Sequence, residues 1–230
     1  MKIAILSDVH SNLAALEAVA SRLPSYDELY CLGDVVGYGP QPNEVIEKLQ
    51  LLRPRIVLMG NHDYAVVTGN VEGFSFHAAK AVEWTRRELA EAGRSYLASL
   101  SPSVKLEREG VVLALYHGSP RDPLTEYIFP GIPETVGRAL LQMASAKVVL
   151  LGHTHMPMLY RYDGCVLANP GSVGQPRDGD PRASYALLTL TRYEMAFEVY
   201  RVEYDVESVA QRIIRNGLPN FLAERLYTGV

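Results

Sequence analysis

The chain has 230 residues, of which 48% are hydrophobic, 21% are charged and 9% are aromatic, and its formal net charge is −4. This length and composition are typical of a globular protein that buries a sizeable core, and they exclude a disordered or fibrous chain. The acidic balance argues against nucleic acid as a partner, because proteins that bind backbone phosphates carry a basic excess.

The first half of the chain alternates short apolar segments with segments of helical periodicity. Strands are predicted here at residues 2–7, 28–32 and 55–59, and helices at residues 12–23, 42–52 and 75–92. Ser11 or Asn12 caps the first of these helices, and proline opens the second. Such alternation indicates βαβ units and a largely parallel sheet.

The second half of the chain is richer in strands. Two hairpins are predicted, one across residues 108–110 and one across Asp163-Gly164. The remaining predicted elements are helices at residues 135–144 and 206–214 and strands at residues 148–151, 185–190 and 195–204. We therefore expect one domain over residues 1–230, with two sheets that share a core under covering helices, and a helical tail over residues 205–230.

Cysteine content and the amino terminus limit the class of protein further. Cys31 and Cys165 lie among apolar residues, which predicts buried thiols rather than a disulfide framework or a cysteine-rich zinc site. Met1 directly precedes the first predicted strand, without a signal peptide, and no apolar run approaches the ~18 residues of a membrane span. We expect a cytoplasmic protein that does not bind membranes.

Five of the six histidines lie in loops that directly follow predicted strands. The relevant segments are S-D-V-H at 7–10, G-D at 33–34, G-N-H-D at 60–63, H-G at 117–118 and G-H-T-H at 152–155. Ligands of α/β proteins gather at the carboxyl ends of strands, so these segments are expected to meet in one crevice.

The residue types in these segments predict metal binding. Carboxylate, imidazole and amide groups together suit Mn, Fe, Zn, Ni or Co better than Ca or Mg. The set is too large for one tetrahedral ion and would fill two adjacent sites, with Asp34 as the bridging ligand. Its members are Asp8, His10, Asp34, Asn61, His117, His153 and His155. Two divalent metal ions are expected, with Mn favoured, and such pairs catalyse in-line displacement at phosphorus.

The order D-x-H, G-D, G-N-H-D, H and G-H-x-H resembles the calcineurin-like metallophosphoesterase superfamily. The segment N-P-G-S-V-G-Q-P-R at 169–177 resembles its small bacterial and archaeal phosphodiesterase branch. The resemblance runs from about residue 2 to about residue 200 and implies a four-layer αββα fold, a two-sheet sandwich flanked by helices. It implies one metal held by Asp8, His10, Asp34 and His155, and a second held by Asp34, Asn61, His117 and His153.

The implied activity is hydrolysis of a small soluble phosphate ester, with a phosphodiester favoured over a monoester. A hydroxide that bridges the metals would attack phosphorus, and His62, at the family position that does not ligate, would be the general acid. Asp63 either orients His62 or caps a helix. Asn61, His62 and Arg177 are expected to contact substrate, although a structural salt bridge is an equal alternative for Arg177.

Two other functions stay open. The first is a non-catalytic scaffold, because a eukaryotic retromer subunit of similar fold is a binding module; that subunit lacks the histidine that is His62 here. The second is a nuclease, against which the acidic balance argues. The segment at 33–40 lacks the Asp and Arg of the protein-phosphatase branch, which argues against phosphoprotein substrates. His77 is predicted to be structural, and Tyr38 and Tyr64 are candidates for stacking on a substrate.

Overall fold

The computed structural model describes residues 1–191 and 195–230, over which the chain forms ten strands and eight helices. The strands are β1 (Lys2–Leu6), β2 (Glu28–Cys31), β3 (Ile56–Val57), β4 (Ser103–Arg108), β5 (Val111–Tyr116), β6 (Val148–Leu151), β7 (Pro157–Tyr162), β8 (Cys165–Pro170), β9 (Ala183–Leu190) and β10 (Met195–Val202). The helices are α1 (Leu13–Arg22), α2 (Pro42–Leu51), α3 (Asn61–Thr68), α4 (Phe76–Glu88), α5 (Glu91–Ala98), α6 (Glu134–Ala144), α7 (Val206–Arg215) and α8 (Asn220–Thr228).

The strands form two mixed sheets of five strands each, in the orders β10-β9-β1-β2-β3 and β4-β5-β6-β8-β7. In the first sheet β1, β2 and β3 are parallel, whereas β9 pairs antiparallel with both β1 and β10. In the second sheet β5, β6 and β8 are parallel, and β4 and β7 are antiparallel edge strands. The predicted parallel pairing therefore holds for the centre of each sheet, β1–β3 and β5, β6 and β8. It is wrong for β9 and β10, because these C-terminal strands return antiparallel to the free edge of β1.

The two sheets pack face to face over a shared core. Alternation along β1 assigns Ile3 and Ile5 to the cluster between the sheets, and Ala4 and Leu6 to the cluster under the helices α1 and α2. On the second sheet, Val149 packs in the same way under α6. The predicted sandwich of two sheets between helical layers is confirmed.

Local departures from the predicted elements concern the helices most. The helix predicted over residues 75–92 is two helices, because Leu89 takes extended backbone (φ −72°, ψ 123°) and ends α4. The segment predicted as a G-N-H-D loop is the start of α3. Cys31 is buried as expected, whereas Cys165 is only half-buried, and both thiols are free.

The last two helices pack against α4 rather than against either sheet. Leu222 and Leu226 of α8 join Ala78 and Trp84 of α4 in one buried cluster. This contact brings the C-terminal segment beside the loops that carry the predicted ligands. Within residues 1–191 and 195–230, no helix combines the length and apolar character needed to cross a membrane.

Candidate metal centre

The loops after β1, β2, β5 and β6, together with the start of α3, converge and bring the predicted ligands into two adjoining clusters. Ligand atoms of Asp8, His10, Asp34 and His155 all lie within 4.8 Å of one another, and so do those of Asp34, His117 and His153. Every member is buried, and Asp34 belongs to both clusters. The amide oxygen of Asn61 lies 3.1 Å from His117 Nε2, next to the second cluster. These are the two sets that the sequence resemblance implies.

The donor atoms are crowded at the junction of the clusters. His10 Nε2 and His155 Nε2 are 3.1 Å apart, and Asp34 Oδ2 lies 3.5 Å from both His10 Nε2 and His117 Nε2. His155 Nε2 lies 3.4 Å from Asp8 Oδ1. Imidazole nitrogens and carboxylate oxygens of both clusters are thus gathered close to the shared residue Asp34.

The second nitrogen of each of the four imidazoles faces a backbone carbonyl. The pairs are His10 Nδ1 with Val36 O (3.1 Å), His117 Nδ1 with Leu32 O (2.8 Å), His155 Nδ1 with Gln175 O (2.6 Å) and His153 Nε2 with Thr125 O (3.0 Å). A carbonyl oxygen accepts, so the facing nitrogen carries the proton. The other nitrogen of a neutral ring then keeps its lone pair, which is how protein carbonyls orient metal-binding histidines.

The carboxylates of Asp8 and Asp34 each have one oxygen that accepts hydrogen bonds from the protein and one oxygen that accepts none. Asp8 Oδ2 accepts from Ser7 Oγ and from the backbone N–H of His153, and Asp34 Oδ1 accepts from the backbone N–H of His62. Asp8 Oδ1 and Asp34 Oδ2 are buried without a hydrogen-bond donor. Buried polar atoms without partners are costly, and a cation would satisfy both oxygens. The donor set therefore fits divalent metal ions.

The four histidines of the clusters differ in charge: three are neutral and one is protonated. Burial lowers the pKa of His153 to about 3 and holds the pKa values of His10 and His155 well below their usual range, so these rings are neutral. Burial opposes charge on Asp34 as well, but His117, His62 and His10 together outweigh it, with His117 foremost, and hold the Asp34 pKa well below its usual range. The Asp34 carboxylate in turn overcomes the effect of burial on His117 and raises its pKa to about 9. In the absence of metal, one imidazolium thus neutralises the shared carboxylate.

The ligand loops adopt unusual backbone conformations. Of the eleven non-glycine residues with positive φ in the described part of the chain, five are predicted ligands: Asp8, His10, Asp34, His153 and His155. Backbone bonds between the loops hold them in place, including His10 N to Asp34 O (3.0 Å) and Gly174 N to Asp8 O (2.9 Å). Strain of this kind persists where surrounding structure enforces it, and it is typical of functional sites.

His62 lies beside the clusters and not within them. Its ring packs between Tyr38 (centroids 4.3 Å apart) and Phe74 (4.8 Å), and its Nδ1 atom is buried without a hydrogen-bond partner. Burial lowers the pKa of His62 to about 4, so the ring is neutral near pH 7 when no substrate is bound. This position agrees with the non-ligating role that the resemblance implies.

A cleft of about 540 Å³ opens over the clusters. Its lining includes Asn61, His62 and His153 from the ligand segments, together with the aromatic ring of Tyr38. Tyr64, the other tyrosine predicted to flank the site, is not part of this lining.

Arg177 reaches the same cleft from the segment after β8. Its Nη2 donates to Gln175 Oε1 (2.9 Å), its guanidinium lies 5.5 Å from the centroid of Tyr38, and its Nε is buried without a partner. No carboxylate of residues 1–191 or 195–230 forms an ion pair with it. The structural salt bridge that the sequence left open is not found.

Comparison with known proteins agrees with this geometry. Residues 1–192 match the family model of the calcineurin-like phosphoesterase superfamily domain. The chain belongs to this superfamily. It is accordingly a metal-dependent phosphoesterase, and thus a hydrolase.

Three similar proteins cover most or all of the phosphoesterase. The crystal structure of a metallophosphoesterase from Sphaerobacter thermophilus is 35% identical, with a TM-score of 0.86 and 100% coverage of both chains. The uncharacterized protein MJ0912 of Methanocaldococcus jannaschii is 34% identical over 99% of this chain and 98% of its own. Phosphodiesterase YfcE of Escherichia coli K12 is 27% identical over 82% of this chain and 87% of its own.

Asp63 does not contact the ring of its neighbour His62. Its carboxylate accepts backbone N–H bonds from Val35 (3.1 Å), Val36 (2.9 Å) and Gly60 (3.0 Å). Asp63 therefore caps α3 and ties the start of that helix to the loop after β2. Of the two roles left open by the sequence, the geometry supports the structural one.

We expect Asp63→Asn to destabilise the phosphoesterase by about 1–3 kcal/mol, because an amide nitrogen would face a backbone N–H in a fully buried position. Urea unfolding measures this change in the free energy of unfolding. Asp163→Asn is the matched control, since Asp163 forms an exposed ion pair with Arg138 and its loss should cost less than about 1 kcal/mol. Equal effects of the two substitutions would contradict the capping role.

Gly60, the residue before Asn61, lies so close to Asp34 that it leaves no room for a side chain. A Cβ at Gly60 would lie 2.0 Å from Asp34 Oδ1 and 2.3 Å from Asp34 N. Gly60→Ala must therefore displace the shared carboxylate, and we expect apparent Mn²⁺ affinity to fall by about tenfold or more. A titration of the metal-free protein with Mn²⁺ checks this. Gly110→Ala, in a hairpin turn with no atom within 4 Å of the added Cβ, should leave the affinity unchanged. An unchanged affinity in Gly60→Ala as well would show that Gly60 does not keep space for the Asp34 carboxylate.

Sequence reasoning missed several residues that line the cleft. Thr125 and Tyr127 come from the irregular segment between β5 and α6; the Thr125 carbonyl faces His153, and the Tyr127 ring stacks on His153 with centroids 3.7 Å apart. Arg225 comes from α8. None of these belongs to a ligand-like motif, so the sequence offered no signal for them. His77, predicted to be structural, stacks on Phe221 of α8 with centroids 4.8 Å apart and belongs to neither cluster.

Proposed function

We propose that this phosphoesterase is a dinuclear enzyme that hydrolyses a small soluble phosphodiester in preference to a monoester. The observation that carries the proposal is the pair of clusters joined at Asp34, in which Asp8 and Asp34 each keep one buried oxygen without a donor. One ion would be held by Asp8, His10, Asp34 and His155, and the other by Asp34, Asn61, His117 and His153. The donor types suit Mn, Fe, Zn, Ni or Co, with Mn the first candidate.

Two bound cations would lower the pKa of a coordinated water and neutralise charge on the phosphoryl oxygens. The chain itself supplies the remaining functions. Asn61 and Arg177 line the cleft with polar groups that donate hydrogen bonds to phosphoryl oxygens. His62 is the proposed general acid, and its proton passes to the oxygen of the departing alcohol. An anionic phosphoryl group beside His62 raises the pKa of the ring, which opposes the effect of burial in the free site.

The surroundings of the clusters favour a diester. A diester carries a second organic group, and the rings of Tyr38, Phe74 and Tyr127 line the cleft beside the clusters with apolar surface. The similarity to phosphodiesterase YfcE supports the same choice. The proposal treats residues 1–230 as one catalytic domain, with residues 205–230 as its helical tail, in the cytoplasm and with a small-molecule substrate.

The test is an assay of metal-free protein supplied with Mn²⁺. We expect Mn²⁺-stimulated hydrolysis of bis(p-nitrophenyl) phosphate, with kcat/KM about tenfold above that for p-nitrophenyl phosphate. A higher kcat/KM for the monoester would overturn the diester preference. Bound metal without turnover of either ester would overturn the enzymatic proposal and support the scaffold, and Mn²⁺-dependent cleavage of plasmid or single-stranded DNA would support the nuclease.

A further inference from the structure

The C-terminal helix α8 forms part of the wall of the cleft. Leu222 and Leu226 anchor it against α4, and Arg225, between them in the sequence, lines the cleft together with Tyr38 and Arg177. Residues 220–228 lie outside residues 1–192, which match the superfamily model. The cleft is therefore completed by a segment that is not part of the matched domain.

Arg177 and Arg225 bring two positive charges to this cleft without Asp or Glu partners. Within the described residues neither forms an ion pair with an Asp or Glu side chain, and this includes Glu72, which also lines the cleft. Arg225 Nε donates to the main-chain oxygen of Val230, the last residue of the sequence, and Arg177 Nη2 donates to Gln175 Oε1. Both guanidinium groups keep further N–H groups that no Asp or Glu side chain accepts.

The two guanidinium groups are close enough to affect each other. Burial, and after it the charge of Arg177, lower the pKa of Arg225 to about 10, so the Arg225 side chain is charged near neutral pH. Two partly buried cations that face one cleft repel each other, and an anion between them removes that cost. The planar donor geometry of arginine matches the oxygens of phosphate and of carboxylate, and phosphate is the group that a phosphoesterase substrate already carries.

Arg177 and Arg225 differ in how they are connected to the loops that carry the two clusters. Gln175, which holds Arg177, also accepts from His155 Nδ1 through its backbone oxygen, so Arg177 is tied directly to the first cluster. Arg225 has no hydrogen bond to a ligand loop among the described residues; its guanidinium instead lies 5.3 Å from the ring of Phe221 on its own helix. Arg225 is thus the member of the pair that is free of the catalytic loops.

We propose that Arg225 forms a second phosphate subsite beside Arg177, the residue that contacts the scissile phosphate, so that the preferred substrate is a phosphodiester that carries a further phosphate group. This inference rests on the proposed function and specifies its substrate class. Arg225, which the C-terminal helix α8 contributes, is the substrate-binding residue of this subsite. The scissile phosphate binds at the metal centre, and the further phosphate binds at Arg225.

Two esters that differ only in the further phosphate test the subsite. These are the p-nitrophenyl ester of thymidine 5′-phosphate and the same compound with a 3′-phosphate, both assayed with Mn²⁺. We expect kcat/KM to be about tenfold or more higher for the 3′-phosphorylated ester, since a charge-assisted bond to phosphate contributes that much. In Arg225→Gln the ratio of the two kcat/KM values should fall to about one, and Arg225→Lys should retain part of it.

The control is Arg215→Gln, an exposed arginine of α7 that donates to Gln211 and lies away from the cleft lining. It should leave the ratio as in the wild type. A ratio of about one in the wild-type protein, or an unchanged ratio in both folded Arg225 variants, would overturn the subsite while leaving the phosphodiesterase proposal intact. Absence of Mn²⁺-dependent turnover with either ester would instead overturn the proposed function itself.

Discussion

Asp34→Asn is expected to lower kcat for Mn²⁺-dependent diester hydrolysis by about 10³-fold or more, because one carboxylate serves both clusters. Asp34 Oδ2 lies 3.5 Å from both His10 Nε2 and His117 Nε2, and it has no hydrogen-bond donor. An amide at this position removes the negative charge between two cations. Metal analysis of the purified variant should accordingly give fewer than two ions per chain.

Asp163→Asn serves again as the control, because that exposed carboxylate pairs with Arg138 far from the cleft. Its kcat and metal content should equal those of the wild type. Full activity in Asp34→Asn, with two ions still bound, would show that the clusters do not depend on a shared ligand.

His62→Asn is expected to lower kcat by about 10²–10⁴-fold while both ions stay bound, because His62 lies outside the clusters and would supply a proton rather than a lone pair. The loss should grow as the leaving group becomes more basic. A p-nitrophenolate leaves readily without a proton, whereas an alkoxide does not, so a series of diesters with leaving groups of increasing pKa separates acid catalysis from a packing role.

His77→Asn is the matched control, since His77 stacks on Phe221 and does not line the cleft. It should retain wild-type kcat across the series. If His62→Asn loses metal, or if its defect is the same for every leaving group, His62 does not act as the acid.

Elements with strong local patterns could be predicted from the sequence. The hairpin across Asp163-Gly164 and the helix capped by Asn12 form as expected, because turn chemistry and capping are local. The start of α3 was missed, because Asn61 and His62 carry polar side chains into its first turn and hide its periodicity. The return of β9 to β1 was missed because periodicity does not specify which strand pairs with which.

The candidate site likewise contains residues that the sequence predicts and residues that only tertiary packing brings there. The members of the two clusters were predictable because each follows a strand in a recognisable segment, and His153 and His155 even share one loop. Arg225 was not predictable, because only the packing of α8 on α4 carries it to the cleft. The break at Leu89 has a related cause: Asn43 of α2 donates to Glu88 O and accepts from Ala90 N on either side of it, a tertiary contact that no local pattern specifies.

Mn²⁺ titration followed by electron paramagnetic resonance measures whether two cations occupy neighbouring sites joined by Asp34. The two clusters predict binding of about two Mn²⁺ per chain, a spin-coupled signal from the closely spaced pair, and activity that rises with the second equivalent. Full activity with one Mn²⁺ per chain, or two ions without magnetic coupling, would contradict the account.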